Sequence, residues 1–205
     1  MTRLCLSLVL PAALAVAVAA KPVFTSTWKS PGAMPGSYAG KKVVGLVVSE
    51  DINLRMSTEE ALARAVTERG ADGIAAYRLI PKEEIHNPES VKSWFQRAGA
   101  SGVVVMRLVD LHRESSPTTT VWTTSTYYGS FWNYYPYAWT SVVELGPVRT
   151  DTTFVVETLL FDVPEAKLLW AGTSESTNPK DAQALVRDIV TVAADQMKKD
   201  GLIKK

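Results

Sequence analysis

The sequence predicts an α/β fold, with α+β as the variant: a single domain whose mixed central sheet of about five strands carries helices and ends in a C-terminal helix. Three observations lead there. Lys42 to Ser49 (KVVGLVVS) is a Val-rich apolar run of the kind buried on both faces of a sheet. An internal echo follows, in which Gly70-Ala-Asp-Gly-Ile-Ala-Ala-Tyr-Arg-Leu-Ile80 matches Gly99-Ala-Ser-Gly-Val-Val-Val-Met-Arg-Leu-Val109 at an offset of 29 residues. Each copy reads as a helix stop, a tight glycine turn and a β-rich run, which implies consecutive strand–helix units with parallel strands. Two copies are too few for a solenoid. Finally, Phe154 to Asp162 and Lys167 to Ser174 flank Val-Pro-Glu-Ala as a hairpin turning at Pro164-Glu165, and an amphipathic segment follows them.

Taken in order, residues 1–20 have a short basic head, an apolar middle from Leu4 to Val18 and small residues at the end. That is the layout of a secretory signal, cut near Ala19 or Ala20. Cys5 is the only cysteine and lies inside this segment, ahead of most of the apolar run. Disulfides and thiol chemistry are therefore not expected after cleavage, nor is a lipid anchor. The formal net charge of the 205 residues is +1, so nothing suggests the clustered cations that nucleic acid requires. Residues 21–40 read as an extended Pro- and Gly-rich arm. Gly36 to Lys41 superficially imitates a phosphate loop but has the wrong spacing and precedes a strand. Residues 41–205 are assigned to the α/β domain, with an aromatic-rich insertion at 118–141.

Ser57-Thr-Glu-Glu60 has the pattern of a capping box opening a helix, with Ala61, Leu62, Ala65 and Val66 as the buried stripe and Gly70 as the stop. Arg55 with Glu59 or Glu60 reads as a solvated pair at that helix start. Asn87-Pro88 caps a second helix whose apolar face is Val91, Trp94, Phe95 and Ala98. Glu157 interrupts an apolar strand and suggests that one face meets solvent there. Asn178-Pro179 opens the last helix, buried through Leu185, Val186, Ile189, Val190, Ala193 and Met197, with Gly201 ending it and Leu202-Ile203 folding back.

Catalytic material is sparse: two histidines, no Gly-x-Ser-x-Gly elbow and no dinucleotide fingerprint, and no cofactor is implied. Asp110, His112 and Glu114 alternate along a strand, so their side chains share one face; they form a weak metal or acid–base candidate. His86 is a loop residue beside Pro88.

Several of these segments together resemble a family of exported bacterial proteins, often lipoproteins, of unknown function. They are Trp28-x-x-Pro31, Tyr77-Arg-Leu-Ile-Pro81, Gly99 to Val109, and Val156-Glu-Thr-Leu-Leu-Phe-Asp162 with Lys167-Leu-Leu-Trp170. The resemblance spans nearly the whole mature chain and includes a Tyr/Gly/Trp-rich insertion at the corresponding place. It implies a periplasmic or cell-envelope location and no activity. This chain departs from the family pattern in lacking a lipobox cysteine, and in carrying Pro164-Glu165-Ala166 where the hairpin often turns on Thr-Gly. The element order is also similar to small envelope α/β domains such as the amino-terminal domain of the Tol-system translocation protein and penicillin-binding-protein activator lipoproteins.

The remaining stretch is the most unusual one. Trp122, Tyr127, Tyr128, Phe131, Trp132, Tyr134, Tyr135, Tyr137 and Trp139 place nine of the chain's 18 aromatic rings in one uncharged segment. Flanked by β-rich Thr118 to Thr126 and Ala138 to Leu145, and interrupted by Gly129, Asn133 and Pro136, it reads as a long hairpin with Tyr127 to Tyr137 near the tip. Loops are superficial, and tyrosine and tryptophan suit half-wet sites. The nine rings are therefore the candidate binding surface of a non-catalytic module that contacts an envelope protein, peptidoglycan or a membrane surface. The alternatives are an enzyme using Asp110, His112 and Glu114, and a structural component that self-associates through the rings.

Overall fold

In the structure, a computed structural model, the described residues are 21–34, 36–112, 127–144 and 152–202, with only the backbone of residue 112. The predicted signal with Cys5, and Ile203, lie outside them.

The elements are β1 (Val23–Lys29), β2 (Lys42–Val48), α1 (Ile52–Thr67), β3 (Asp72–Ala75), α2 (Pro88–Ala98), β4 (Gly102–His112), α3 (Phe131–Thr140), β5 (Thr153–Asp162), β6 (Leu168–Thr177) and α4 (Ala182–Lys199). They form a mixed six-stranded sheet in the order β1-β6-β5-β4-β2-β3. β3, β2 and β4 run parallel, and β4, β5, β6 and β1 pair antiparallel. The sixth strand, β1, comes from the segment expected to be an extended arm. Alternation along the strands sends Val47, Val104, Met106 and Val156 into one core beneath α1 and α4. The same alternation sends Val44, Leu46, Val103, Val105 and Leu159 into a second core beneath α2 and α3. This is the expected α/β class, with a helical layer on each face.

The internal echo is a symmetry about β2. Gly73 and Gly102, equivalent in the two copies, both stand opposite Val43, one on each side of it. Gly70 and Gly99 both adopt positive φ, +87° and +67°, and close the preceding helices. Ala71 N–H reaches back to Val66 O, and Ala100 N–H to Phe95 O, which satisfies carbonyls at the end of each helix. The copies then diverge. β4 runs on for 11 residues, whereas β3 stops at Ala75 and turns into a 3₁₀ segment, Ala76–Arg78.

Glu59 explains how that early stop is tolerated. The last β2–β3 partners are Gly45 and Ala75, so Val47 N–H has no strand to bond. The Glu59 carboxylate accepts from Val47 N–H at 3.2 Å and from Tyr77 N–H at 2.6 Å. It reaches this position because α1 starts earlier than Ser57. Asp51 is the N-cap, accepting from Asn53 and Leu54 N–H at 2.9 and 3.1 Å. Ser57 and Thr58 lie within the helix and donate to Leu54 O. The earlier start puts Arg55, Thr58, Glu59 and Leu62 on one buried face at i, i+3, i+4 and i+7. The pair expected in solvent, Arg55 and Glu59, is thus inside the protein.

The β5–β6 hairpin turns at 163–167, where Ala166 takes φ +55° and Asp162 Oδ1 accepts from Glu165 N–H at 2.8 Å. The last helix starts at Asp181, which accepts from Ala184 N–H at 2.7 Å, three residues later than Asn178-Pro179 suggests. Asn178 instead adopts φ +52° and accepts from Thr152 N–H. At the other end Gly201 (φ +78°) lets Leu202 N–H reach Met197 O at 2.9 Å, and the Leu202 side chain is fully buried.

The α1 layer can be tested at two residues. A Cβ on Gly73 would lie 2.0 Å from the Ala63 carbonyl oxygen, a backbone atom of α1 that cannot give way locally. Gly73→Ala should cost about 1–3 kcal/mol in chemical denaturation; an unchanged midpoint would show that α1 is not held this close. For Glu59, burial lifts the carboxyl to about 7, against the Tyr77 and Val47 N–H bonds and Arg55, which pull it down. The folded state therefore binds this proton more tightly than the unfolded chain. The associated stability is complete below the ordinary glutamate pKa of about 4.3, and is lost as pH rises to about 7. Urea midpoints across this window should fall with pH in the parent and much less in Glu59→Gln; parallel profiles would contradict the assignment.

Candidate functional site

The aromatic segment does not form a hairpin tip. Residues 131–140 are a helix, α3, lying on the second face of the sheet. The pattern behind this is Phe131, Tyr134, Tyr135 and Ala138, a helical i, i+3, i+4, i+7 stripe, and all four are buried. Gly129 and Asn133 read as breakers but sit in the turn and on the solvent side. Pro136 is also exposed, and in so short a helix its missing N–H forfeits a single internal bond, to Trp132 O. At the start of α3, Ser130 supplies no side-chain cap; Phe131 N–H instead donates at 2.8 Å to Ala166 O in the β5–β6 turn.

What holds α3 down is Glu157. Expected at solvent, it is 2% exposed in β5, directly opposite Arg107 of β4. Arg107 Nη2 lies 3.2 Å and Nε 3.3 Å from Glu157 Oε1. Tyr134 Oη donates to Oε1 at 2.7 Å and Tyr128 Oη to Oε2 at 2.6 Å. Three hydrogen-bond donors and the ion-pair contact of Nη2 thus occupy the carboxylate, which is what a buried anion needs. The Arg107 guanidinium also donates to Ser141 Oγ and stands over the Tyr137 and Tyr134 rings, 5.1 and 5.8 Å from their centroids. Burial opposes its charge, but Tyr134 and Glu157 outweigh that and hold Arg107 above the ordinary arginine range. Burial first, then Glu157, pushes the phenols of Tyr134 and Tyr128 well above the ordinary tyrosine value. A third tie is Tyr135 Oη, which donates to Ile85 O.

The nine candidate rings therefore divide. Tyr128, Phe131, Tyr134 and Tyr135 belong to the core and present no contact surface. Phe131 packs against Phe95, Phe161, Trp132 and Tyr135 at centroid distances of 4.7–5.9 Å. Tyr127 is 48% exposed and stacks on half-buried Tyr137 at 4.2 Å with an interplanar angle of 13°. Trp132 is half-buried with Lys92 Nζ 5.8 Å above it, and Trp139 is half-buried against His86, 4.6 Å away. Trp122 lies outside the described residues. Sequence reasoning missed Arg107, Glu157, Lys92 and His86 as neighbours of the rings. An apolar strand interrupted by one Glu, beside an apolar strand interrupted by one Arg, was the signal for the first two.

Asp110 is exposed beyond a bulge in the β4–β5 pairing, and its Oδ1 accepts from Leu111 N–H. The His112 side chain and Glu114 lie outside the described residues. Among the described residues no group of three His, Cys, Asp or Glu could hold a metal ion, and no helix is long and apolar enough to cross a membrane.

No family model matches the chain, and no curated protein matches it. Among solved structures it is similar to a single-substitution variant of the PelC dodecamer from Paraburkholderia phytofirmans, with TM-score 0.46 and 14% identity over 88% of this chain and 99% of that one. The PelC dodecamer of the same organism in another crystal form gives 0.43 and 13%, over 83% and 95%. Lipoprotein GNA1162 from Neisseria meningitidis gives 0.39 and 17%, over 78% and 96%.

Removing Glu157 leaves a buried guanidinium unpaired and two buried hydroxyls without acceptors. Glu157→Ala should cost about 3–5 kcal/mol and release α3, read as a loss of near-UV circular dichroism. A variant that keeps both its stability and its aromatic signal would show that the ion pair does not anchor the helix.

Proposed function

We propose that this chain is a non-catalytic binding or scaffolding module of the bacterial cell envelope, exported by residues 1–20. Its contact surface is the rim of rings that α3 leaves accessible: Tyr127, Trp132, Tyr137 and Trp139. The observation that carries this is the division of labour within one segment. Tyr128, Phe131, Tyr134 and Tyr135 lock the helix to the sheet, so the rim is held rigidly and loses little conformational entropy on binding. The Tyr127–Tyr137 stack offers a flat amphipathic face, suited to an apolar patch of an envelope protein, a sugar ring of peptidoglycan or a bilayer interface. The signal-like start of the chain supports the compartment.

The variant Tyr127→Ala removes the stack and leaves Glu157, Arg107, Tyr128, Tyr134 and the Tyr137 ring over Arg107 in place. Cross-linking of parent and variant to isolated envelope fractions should show captured species weakened severalfold in the variant, with thermal melts close to the parent's. An unchanged capture profile from a folded variant would refute the binding surface. If the variant instead only abolishes a concentration-dependent oligomer in sedimentation, the rim serves self-association.

A further inference from the structure

A second site lies on the opposite face of the sheet from the rings. From β2 the chain crosses through α1 on one face to reach β3. It then crosses back through α2 on the other face to reach β4, on β2's far side. Such a switch point opens a crevice outside the carboxyl ends of the strands. Here that place holds a cavity of about 60 Å³ walled by Val47, Met106, Leu108, Val156, Leu185 and Ile189. The polar residues at its edge are already engaged: Thr58 donates to Leu54 O, Ser49 accepts from Asp51 N–H, and Arg107 is held by Glu157 and Ser141. An apolar group is what such a lining takes.

The crevice adjoins a larger space. Leu54 and Val186 line it and also line a cleft of about 400 Å³ between α1 and α4. Arg64 on α1 and Arg187 on α4 border this cleft from opposite helices. Both are exposed, and neither forms an ion pair among the described residues. Among the described residues the carboxylate lining the cleft is Glu68, 3.9 Å from Arg69. An apolar crevice beside a cleft that two guanidinium groups border, neither in an ion pair among the described residues, has the chemistry of an amphiphile site. From Leu54 to Arg64 the wall runs about 15 Å along α1, the reach of a medium-length alkyl chain.

We propose that crevice and cleft together bind one single-chain fatty-acid carboxylate. Its methyl end sits among Val47, Val156 and Leu185, its chain lies along α1 and α4, and its carboxylate lies between Arg64 and Arg187. The site is independent of the aromatic rim, so either assignment stands or falls without the other.

The probe is decanoate, kept below its micelle concentration and titrated into the purified protein while backbone amide shifts are followed. Saturable one-to-one shifts at Leu54, Arg64 and Val186 are expected. Arg64→Gln/Arg187→Gln, at exposed positions, should weaken binding roughly tenfold, and Val186→Phe should block it. Decyltrimethylammonium, with the same chain and the opposite charge, should not saturate the site. Absence of saturable shifts, equal binding of the cationic amphiphile, or unchanged affinity in the double Gln variant would each overturn the proposal. Displacement of decanoate by a more tightly held lysophosphatidylglycerol would assign the site to a phosphate headgroup and overturn the carboxylate.

Discussion

A carboxylate in the middle of an apolar strand must be matched donor by donor or it will not stay inside, and Glu157 is matched by groups from three places. Arg107 comes from the neighbouring strand, Tyr134 from α3 and Tyr128 from the turn before it. The ion pair alone is weak evidence of stability, since desolvating two charges offsets most of their attraction. Its effect is on which arrangement is allowed. The two phenols find acceptors here, and Arg107 gains ring faces, only if α3 lies across β4 and β5 in this register. Aromatic area supplies the burial energy, and the carboxylate selects the position.

The two faces of the sheet solve the same problem with different means. Beneath α1, where β3 stops short, Glu59 stands in for missing strand bonds by accepting two backbone N–H groups. Beneath α3, Glu157 takes side-chain donors. Close approach differs as well: Gly45 and Gly73 let α1 sit against the β2–β3 edge, while the first turns of α1 and α4 leave room between them at the carboxyl ends of β2 and β4. The α1–α4 face thus combines tight contact at one end with an opening at the other.

Both proposed sites depend on rigid supports. The rim of rings is displayed by a helix tied down at Ala166, Ile85 and Glu157. The crevice is walled by strand ends and two capped helices, with Arg69, just past α1, joined to Asp195 of α4 at 2.7 Å.

Much of the architecture was legible in the sequence because it is written in local periods and turn chemistry. The Val-rich run of β2, the Asn87-Pro88 cap, the hairpin around Pro164 and the glycine stops at 70, 99 and 201 each carry their signal within a few residues. The site was legible only as an accumulation of rings. Whether a given ring faces inward depended on Arg107 and Glu157, which lie 50 residues apart and meet only across a strand pair. By itself the sequence determined the α/β class, the strand–helix echo and the aromatic density. Tertiary structure alone decided that four of those rings are core, that Glu59 and Glu157 are internal acceptors, and that a crevice opens between α1 and α4. The physical reason is that burial of a polar group depends on partners brought from distant positions, which local pattern does not encode.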